Sequence, residues 1–242
     1  MARVVKEDEY AVKRNEILSV AQRLVITTGF EQMSVQDILH ELKISKGAFY
    51  HYFDSKLALL DGLVDRMMDE AEQVLQPIVD AKNLPALEKL RRYFDASGRW
   101  KTSRKAFMLD LLRVWYTDSN AIVRIKQETA AFKRIAPKLA EIIRQGIAEG
   151  VFTTGYPDQI VSVILGVSQG AGDAMADLLL SEELPANALQ RLEAIVEAYS
   201  EAMERILGAP VGSLPLADVA MLKEWLVAPP GKKKDLSILE KI

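Results

Sequence analysis

The sequence predicts an all-α protein, with an N-terminal three-helix helix-turn-helix domain and a larger C-terminal helical bundle. Apolar residues recur at helical spacing along most of the 242 residues, no convincing alternation of apolar and polar residues marks a strand, and Pro or Gly punctuates the chain where helices would start and stop. With 49% hydrophobic and 27% charged residues, the composition is that of a folded globular chain with room for two domains.

The first helix is expected from about Glu9 on Ile17, Leu18, Ala21, Leu24 and Val25, ending at Gly29, a residue suited to the left-handed position after a helix. Ser34 opens "SVQDILHEL", where a hydroxyl followed at the third position by Asp37 has the form of a capping box and Val35, Ile38, Leu39 and Leu42 make one apolar face. Ser45 caps a third helix, Lys46 to about Tyr52. "DSK" at 54–56 starts a fourth, which runs toward Ala81 on Leu57, Leu60, Leu63, Val64, Met67, Met68, Ala71 and Leu75. Beyond Asn83, the expected starts are Pro85, Ser103, Asn120, Pro157 and Pro185, and the expected stops Gly98, Gly150 and Gly208. From Ala228, "APPGKKKDLSILEKI" joins a breaker cluster to a lysine triplet and reads as a solvated tail. The resulting division is 1–56, 57–227 and 228–242.

Between Ile44 and Lys56, "ISKGAFYHYFDSK" places Phe49, Tyr50, Tyr52 and Phe53 within five positions. A small three-helix unit has little core, and Phe49 and Phe53, four apart, supply large rings to pack on Ile17, Leu24, Phe30 and Ile38. Tyr50 and His51 then point elsewhere; for both, phosphate contact and the edge of the core stay open as alternatives. Gly47 and Ala48 leave the front of the third helix thin enough to enter a major groove, with Lys46, Tyr50 and Lys56 as phosphate donors around it.

These residues resemble the TetR family of bacterial transcriptional regulators. Ile17, Gly29, Phe30, Ser34, Ile38, Ser45, Gly47, Phe49, Tyr50, Tyr52, Phe53 and Lys56 stand where that family has an isoleucine-rich first helix ending in Gly-Phe/Tyr, a Ser/Thr-initiated second helix, and an aromatic run closed by lysine. Three positions depart from the pattern: Leu42 and Lys43 occupy the Ala and Gly commonly found before the turn, and Leu39 stands for alanine. A left-handed conformation at a non-glycine turn residue costs about 1 kcal/mol. The resemblance implies a DNA-contacting set of Ser34, Gln36, Ser45, Lys46, Gly47, Ala48, Tyr50, His51 and Lys56 on a double-stranded operator. It also implies a larger domain that binds a small-molecule effector, and a homodimer formed by the last two long helices. The expected protein is a ligand-responsive regulator, most simply a repressor released by a small apolar or aromatic effector. A helix-turn-helix kept for protein interaction alone is the alternative.

In the larger domain, Phe94, Phe107, Trp115, Tyr116 and Phe132 are the candidate walls of an effector cavity, with ordinary core packing as the competing explanation. Gly166, Gly170 and Ala174 repeat every four residues and permit close helix approach, either between two copies or within one chain.

Several function classes are excluded. There is no cysteine for disulfides, thiol catalysis or thiolate metal sites, and both histidines, His40 and His51, fall inside the helix-turn-helix, away from the larger domain. "HELKI" at 40–44 has Ile44 where a zinc-protease motif needs its second histidine, and "GVSQGAGDAM" at 166–175 lacks the dinucleotide-binding pattern. Glu182 and Glu183 suit a solvated helix end. No catalytic residue, metal or cofactor is expected. The net charge of -3, and the balance of acids and bases within 1–56, leave any nucleic-acid contact local. The charged first residues do not form a signal peptide, and the longest apolar stretch, 160–167, is far too short for a membrane span, so the cytoplasm is the expected compartment.

Overall fold

The structure, a computed structural model, describes residues 2–157 and 159–227, and of residues 2–7, 119, 122 and 123 the backbone alone. The expected tail, 228–242, lies outside the described residues. Among the described residues the chain forms α1 (Ala2–Thr28), α2 (Val35–Leu42), α3 (Lys46–Tyr50), α4 (Lys56–Val79), α5 (Ala86–Ser103), α6 (Lys105–Trp115), α7 (Ala121–Ala148), α8 (Ile160–Leu179), α9 (Ala188–Leu207) and α10 (Val219–Leu226), and no strand.

The head is held by short-range chemistry. Ser34 caps α2 as a complete capping box: its Oγ accepts from the Asp37 N–H, and the Asp37 carboxylate accepts from the Ser34 N–H at 2.8 Å. Ser45 and Ser55 cap α3 and α4 in the same way through the N–H groups of Ala48 and Ala58. Gly29 ends α1 at φ +87°, and Lys43 takes the left-handed conformation (φ 52°, ψ 42°) after α2. The mild strain anticipated at Lys43 is therefore present, in a turn flanked by the buried Ile38 and Leu39 of α2 and Phe49 of α3.

Ile17, Leu18, Ala21, Phe30, Ile38, Phe49 and Phe53 form one core with Leu59, Leu60, Leu63 and Val64 of α4 and with Trp100, Phe107, Met108, Leu111 and Val114 of α5 and α6. The head's core thus continues without a break past residue 56 into the body. A second core joins the ends of α4 and α5 to α7, α8 and α9 through Leu90, Tyr93, Leu139, Ile143, Phe152, Ile164 and Met203. Between the cores, ion pairs fasten α4 to α7. Arg134 binds Asp69 at 2.7 Å and Glu72 at 2.6 Å, Lys138 binds Glu72 at 2.5 Å, and Gln127 donates to Asp61 at 2.8 Å. The two bases hold the Glu72 carboxyl below its ordinary value.

Two expectations fail in the body. Gly98 does not stop a helix: it lies inside α5, where a Cβ at its position would stand 2.6 Å from Met221 Sδ of α10. Its small size serves a close helix crossing. Ser103 ends α5 rather than starting a helix, and α6 begins at Lys105. α10 was not anticipated from the sequence. Asp218 caps it, Trp225 donates to Thr102 Oγ1 at 2.9 Å, and the buried Glu204 carboxylate holds the preceding loop through the N–H groups of Gly212 and Leu214 at 2.8 and 2.7 Å. No described helix is long and apolar enough to cross a membrane.

Candidate nucleic-acid interface and effector cleft

α3 is anchored from behind and open in front. Phe49 is 0% exposed, and Phe53 is buried 5.9 Å from it between ring centroids, whereas Tyr50, next to Phe49 in sequence, is 40% exposed. Lys46, Gly47 and His51 are exposed with it, and Ala48 is half-buried. The Lys46 ammonium lies 5.9 Å from the Tyr50 ring centroid, so a cation and a phenol share one corner of the helix. A Cβ added at Gly47 would meet only Ser45 Oγ, at 3.9 Å. Nothing within the chain needs position 47 to be glycine; the clearance faces outward.

The remaining expected contacts lie at the starts of α2, α3 and α4. Ser34 and Gln36 are exposed on α2, but the Ser34 and Ser45 hydroxyls are committed to capping. The Ser34 N–H and hydroxyl both bond the Asp37 carboxylate and hold its pKa below the ordinary value. Lys56 is half-buried: it donates to the Glu31 carbonyl at 3.2 Å, with its ammonium 4.6 Å from the Phe30 ring centroid. It therefore ties α4 to the turn before α2, leaving its other N–H groups for an external acceptor.

The five candidate effector-binding rings are not brought to one place. Phe107 is buried, and Trp115 half-buried, in the core shared with the head, where the Trp115 indole N–H has no hydrogen-bond partner. Phe94 and Phe132 are half-buried against the second core. Tyr116 donates its hydroxyl to Asp173; burial first, then that carboxylate, push its pKa up. An open cleft of about 310 Å³ lies between α7 and α8, lined by Ile125, Glu128, Thr129, Phe132, Gly166, Gln169, Gly170 and Asp173. Of the five rings, Phe132 lines it, and Tyr116 supports its wall through Asp173. Gln169, bonded to Asp173 at 2.8 Å and Glu128 at 3.4 Å, was not singled out from sequence, because an isolated Gln on an apolar helix carries no distinctive pattern.

The glycine stripe of α8 divides. A Cβ at Gly170 would meet the Tyr199 ring of α9 at 3.1 Å, so this glycine serves packing within the chain, whereas Gly166 faces open space and Ala174 is half-buried.

A capped, outward-facing α3 on a three-helix head, continuous with a helical body, defines a helix-turn-helix protein of the transcriptional-regulator class. Residues 17–63 match the family described as bacterial regulatory proteins, tetR family, and residues 112–179 match the tetracyclin repressor-like C-terminal domain. The chain carries an N-terminal and a C-terminal TetR-family domain, and the relatives it matches are transcriptional regulators. It is 27% identical over 140 residues to the HTH-type transcriptional regulator EthR of Mycolicibacterium smegmatis, covering 51% of this chain and 64% of that one. The chain thus spans less than two thirds of that relative. It is also 27% identical over 158 residues to the HTH-type transcriptional repressor KstR2 of the same organism, covering 64% and 73%. The crystal structure of a TetR-family transcriptional regulator from Pectobacterium atrosepticum shares the fold, with a TM-score of 0.62 at 20% identity over 84% of this chain and 98% of that one.

Proposed function

We propose that the protein is a homodimeric, cytoplasmic repressor that binds double-stranded operator DNA through α3 and is released by a small apolar or aromatic effector. The observation that carries this reading is the contrast along α3, where Phe49 is wholly buried while Lys46, Gly47, Tyr50 and His51 face out together. Lys46, Tyr50 and Lys56 act as phosphate donors, and Gln36, Ala48 and His51 sit where base edges or sugars pass, with Ser34 and Ser45 placing the two helices. In this reading residues 1–56 are the DNA-binding head and 57–227 the effector-binding and dimerising body.

Effector binding is assigned to the α7–α8 cleft, with Phe132 in its lining and Tyr116 bonded to its wall through Asp173; Phe94, Phe107 and Trp115 remain in the two cores and are left out of this assignment. The cleft's volume reaches the lower end of the range for small-molecule sites. α7 is ion-paired to α4, and α4 shares the head's core, so a shift of α7 is transmitted to the head. A tenfold preference of the effector for the released form corresponds to about 1.4 kcal/mol of coupling. α8, with α9 beside it, is the proposed surface meeting a second copy, with Ala174 the residue of the small-residue stripe outside the cleft lining.

The test begins with a duplex enriched from a random-sequence library by the wild-type protein. Lys46→Ala and Tyr50→Ala should weaken binding to that duplex with helical content unchanged, and Lys46→Ala should reduce the salt slope by about one counterion. If both bind as the wild type does across a salt series, α3 does not read DNA, and a protein-interaction role for the head takes its place. Titration of apolar and aromatic ligands against Trp115 fluorescence and duplex release tests the effector arm.

A further inference from the structure

α1 begins at Ala2, well ahead of the segment matched to the family at residue 17, and its early turns touch the end of the recognition unit. Tyr10 and Arg14 are four apart and share a helix face. The Tyr10 ring lies 4.7 Å from Tyr52 at an interplanar angle of 34° and meets His51 edge-on at 5.6 Å and 83°. The Arg14 guanidinium lies 5.0 Å from the Phe53 ring centroid. One further step of four brings Leu18, which is fully buried in the same core. The stripe 10, 14, 18 therefore grips residues 51–53, which directly follow α3.

α3 needs such a grip. It has five residues, and a helix that short cannot repay the cost of its own nucleation, so its pose is set by what holds its back and its ends. Phe49 holds its back. Ser45 holds its start, with Oγ accepting from the Ala48 N–H at 3.1 Å. At its end, the His51 N–H donates to the Gly47 carbonyl at 3.1 Å and the Tyr52 and Phe53 N–H groups donate to the Phe49 carbonyl at 2.9 and 3.1 Å; the rings that follow are those Tyr10 and Arg14 cover.

We propose that Tyr10 and Arg14 are positioning residues for DNA recognition: the early turns of α1 set the angle of α3 and fix His51 at its exposed end. Discrimination between sequences then depends on residues outside the family-matched segment. The inference rests on α3 as the DNA-reading element, and the experiment has one arm that needs no DNA.

Tyr10 is partly exposed, so Tyr10→Ala should fold. Amide hydrogen exchange at residues 49–53 of the free protein should be faster in Tyr10→Ala and normal in Tyr10→Phe, which keeps the ring. Against a duplex enriched from a random library by the wild type, Tyr10→Ala should bind roughly tenfold more weakly, equivalent to about 1.4 kcal/mol. Binding to unselected duplex and the salt slope should hardly change, because no phosphate contact is removed. Tyr10→Phe should restore the affinity. Unchanged exchange in Tyr10→Ala overturns the clamp, as does an equal loss on selected and unselected duplex. A loss in Tyr10→Phe as large as in Tyr10→Ala also overturns it, since the hydroxyl would then be touching DNA directly. If the wild type enriches no sequence, DNA reading by α3 fails by itself, and the exchange result still decides whether Tyr10 holds the helix.

Discussion

The front and the back of the head are built by opposite rules, and two glycines show it. At the back, a Cβ on Gly62 of α4 would stand 2.8 Å from the Phe53 ring, 3.0 Å from the Arg14 guanidinium and 3.1 Å from a Leu18 methyl. At the front, a Cβ on Gly47 would meet a single atom at ordinary contact distance. The first glycine exists so that the chain can close on itself. The second leaves room for something that is not the chain. In the proposed function, that room, on a helix anchored by the buried Phe49, is where DNA would approach.

That contrast can be broken in four places, taken here from the largest expected effect to the smallest. Phe49→Ala empties the middle of the head's core and should destabilise the protein by about 3–5 kcal/mol, read by denaturant unfolding. A loss below 1 kcal/mol would mean the back is far less tightly packed than its burial indicates. Gly62→Ala forces the Phe53 ring or Leu18 aside and should cost about 1–3 kcal/mol in the same measurement. Its effect on DNA binding should follow from the fraction unfolded and no more.

Gly47→Ala is the mirror image. Thermal stability should hold or rise by up to about 1 kcal/mol, since alanine favours a helix and the site has room, while affinity for a selected duplex falls. A Gly47→Ala protein that loses stability, or that keeps full affinity, would show that the front is not cleared for DNA.

The smallest effect concerns how α2 is held beneath that front. Asp37 has its pKa depressed in the folded state by the Ser34 N–H and hydroxyl, so its capping contribution is complete above the unfolded carboxylate pKa and is lost as the pH falls through the lower, folded value. Amide exchange in α2 should quicken across that acidic window, and Asp37→Asn should remove this component of the pH dependence. No change is expected between pH 6 and 8 from this group.

The head was legible because its determinants are local. Caps at Ser34, Ser45 and Ser55, the stop at Gly29 and the spacing of Phe49 and Phe53 each act within a few residues, and each is realised in the structure. The body was legible only as helices. Gly98 read as a stop because glycine weakens a helix locally, yet α5 continues through it to meet Met221 of α10, over a hundred residues away in sequence. Likewise, the rings from Phe94 to Phe132 read as one group because they are close in sequence, whereas α6 carries Phe107 and Trp115 toward the head and α7 carries Phe132 to the second core.

By itself, the sequence determined the all-helical class and the capped helix-turn-helix head, since these follow from hydrogen bonds and side-chain periodicity within one or two helical turns. The tertiary structure alone decided that the head's core runs on into α4, α5 and α6, that Gly170 is packed under Tyr199 while Gly166 is open, and that a cleft lies between α7 and α8. It also brought Tyr10 onto the end of α3. Those outcomes depend on which helix faces meet across long separations, and a face that is apolar or small in sequence is equally suited to several partners until close packing selects one.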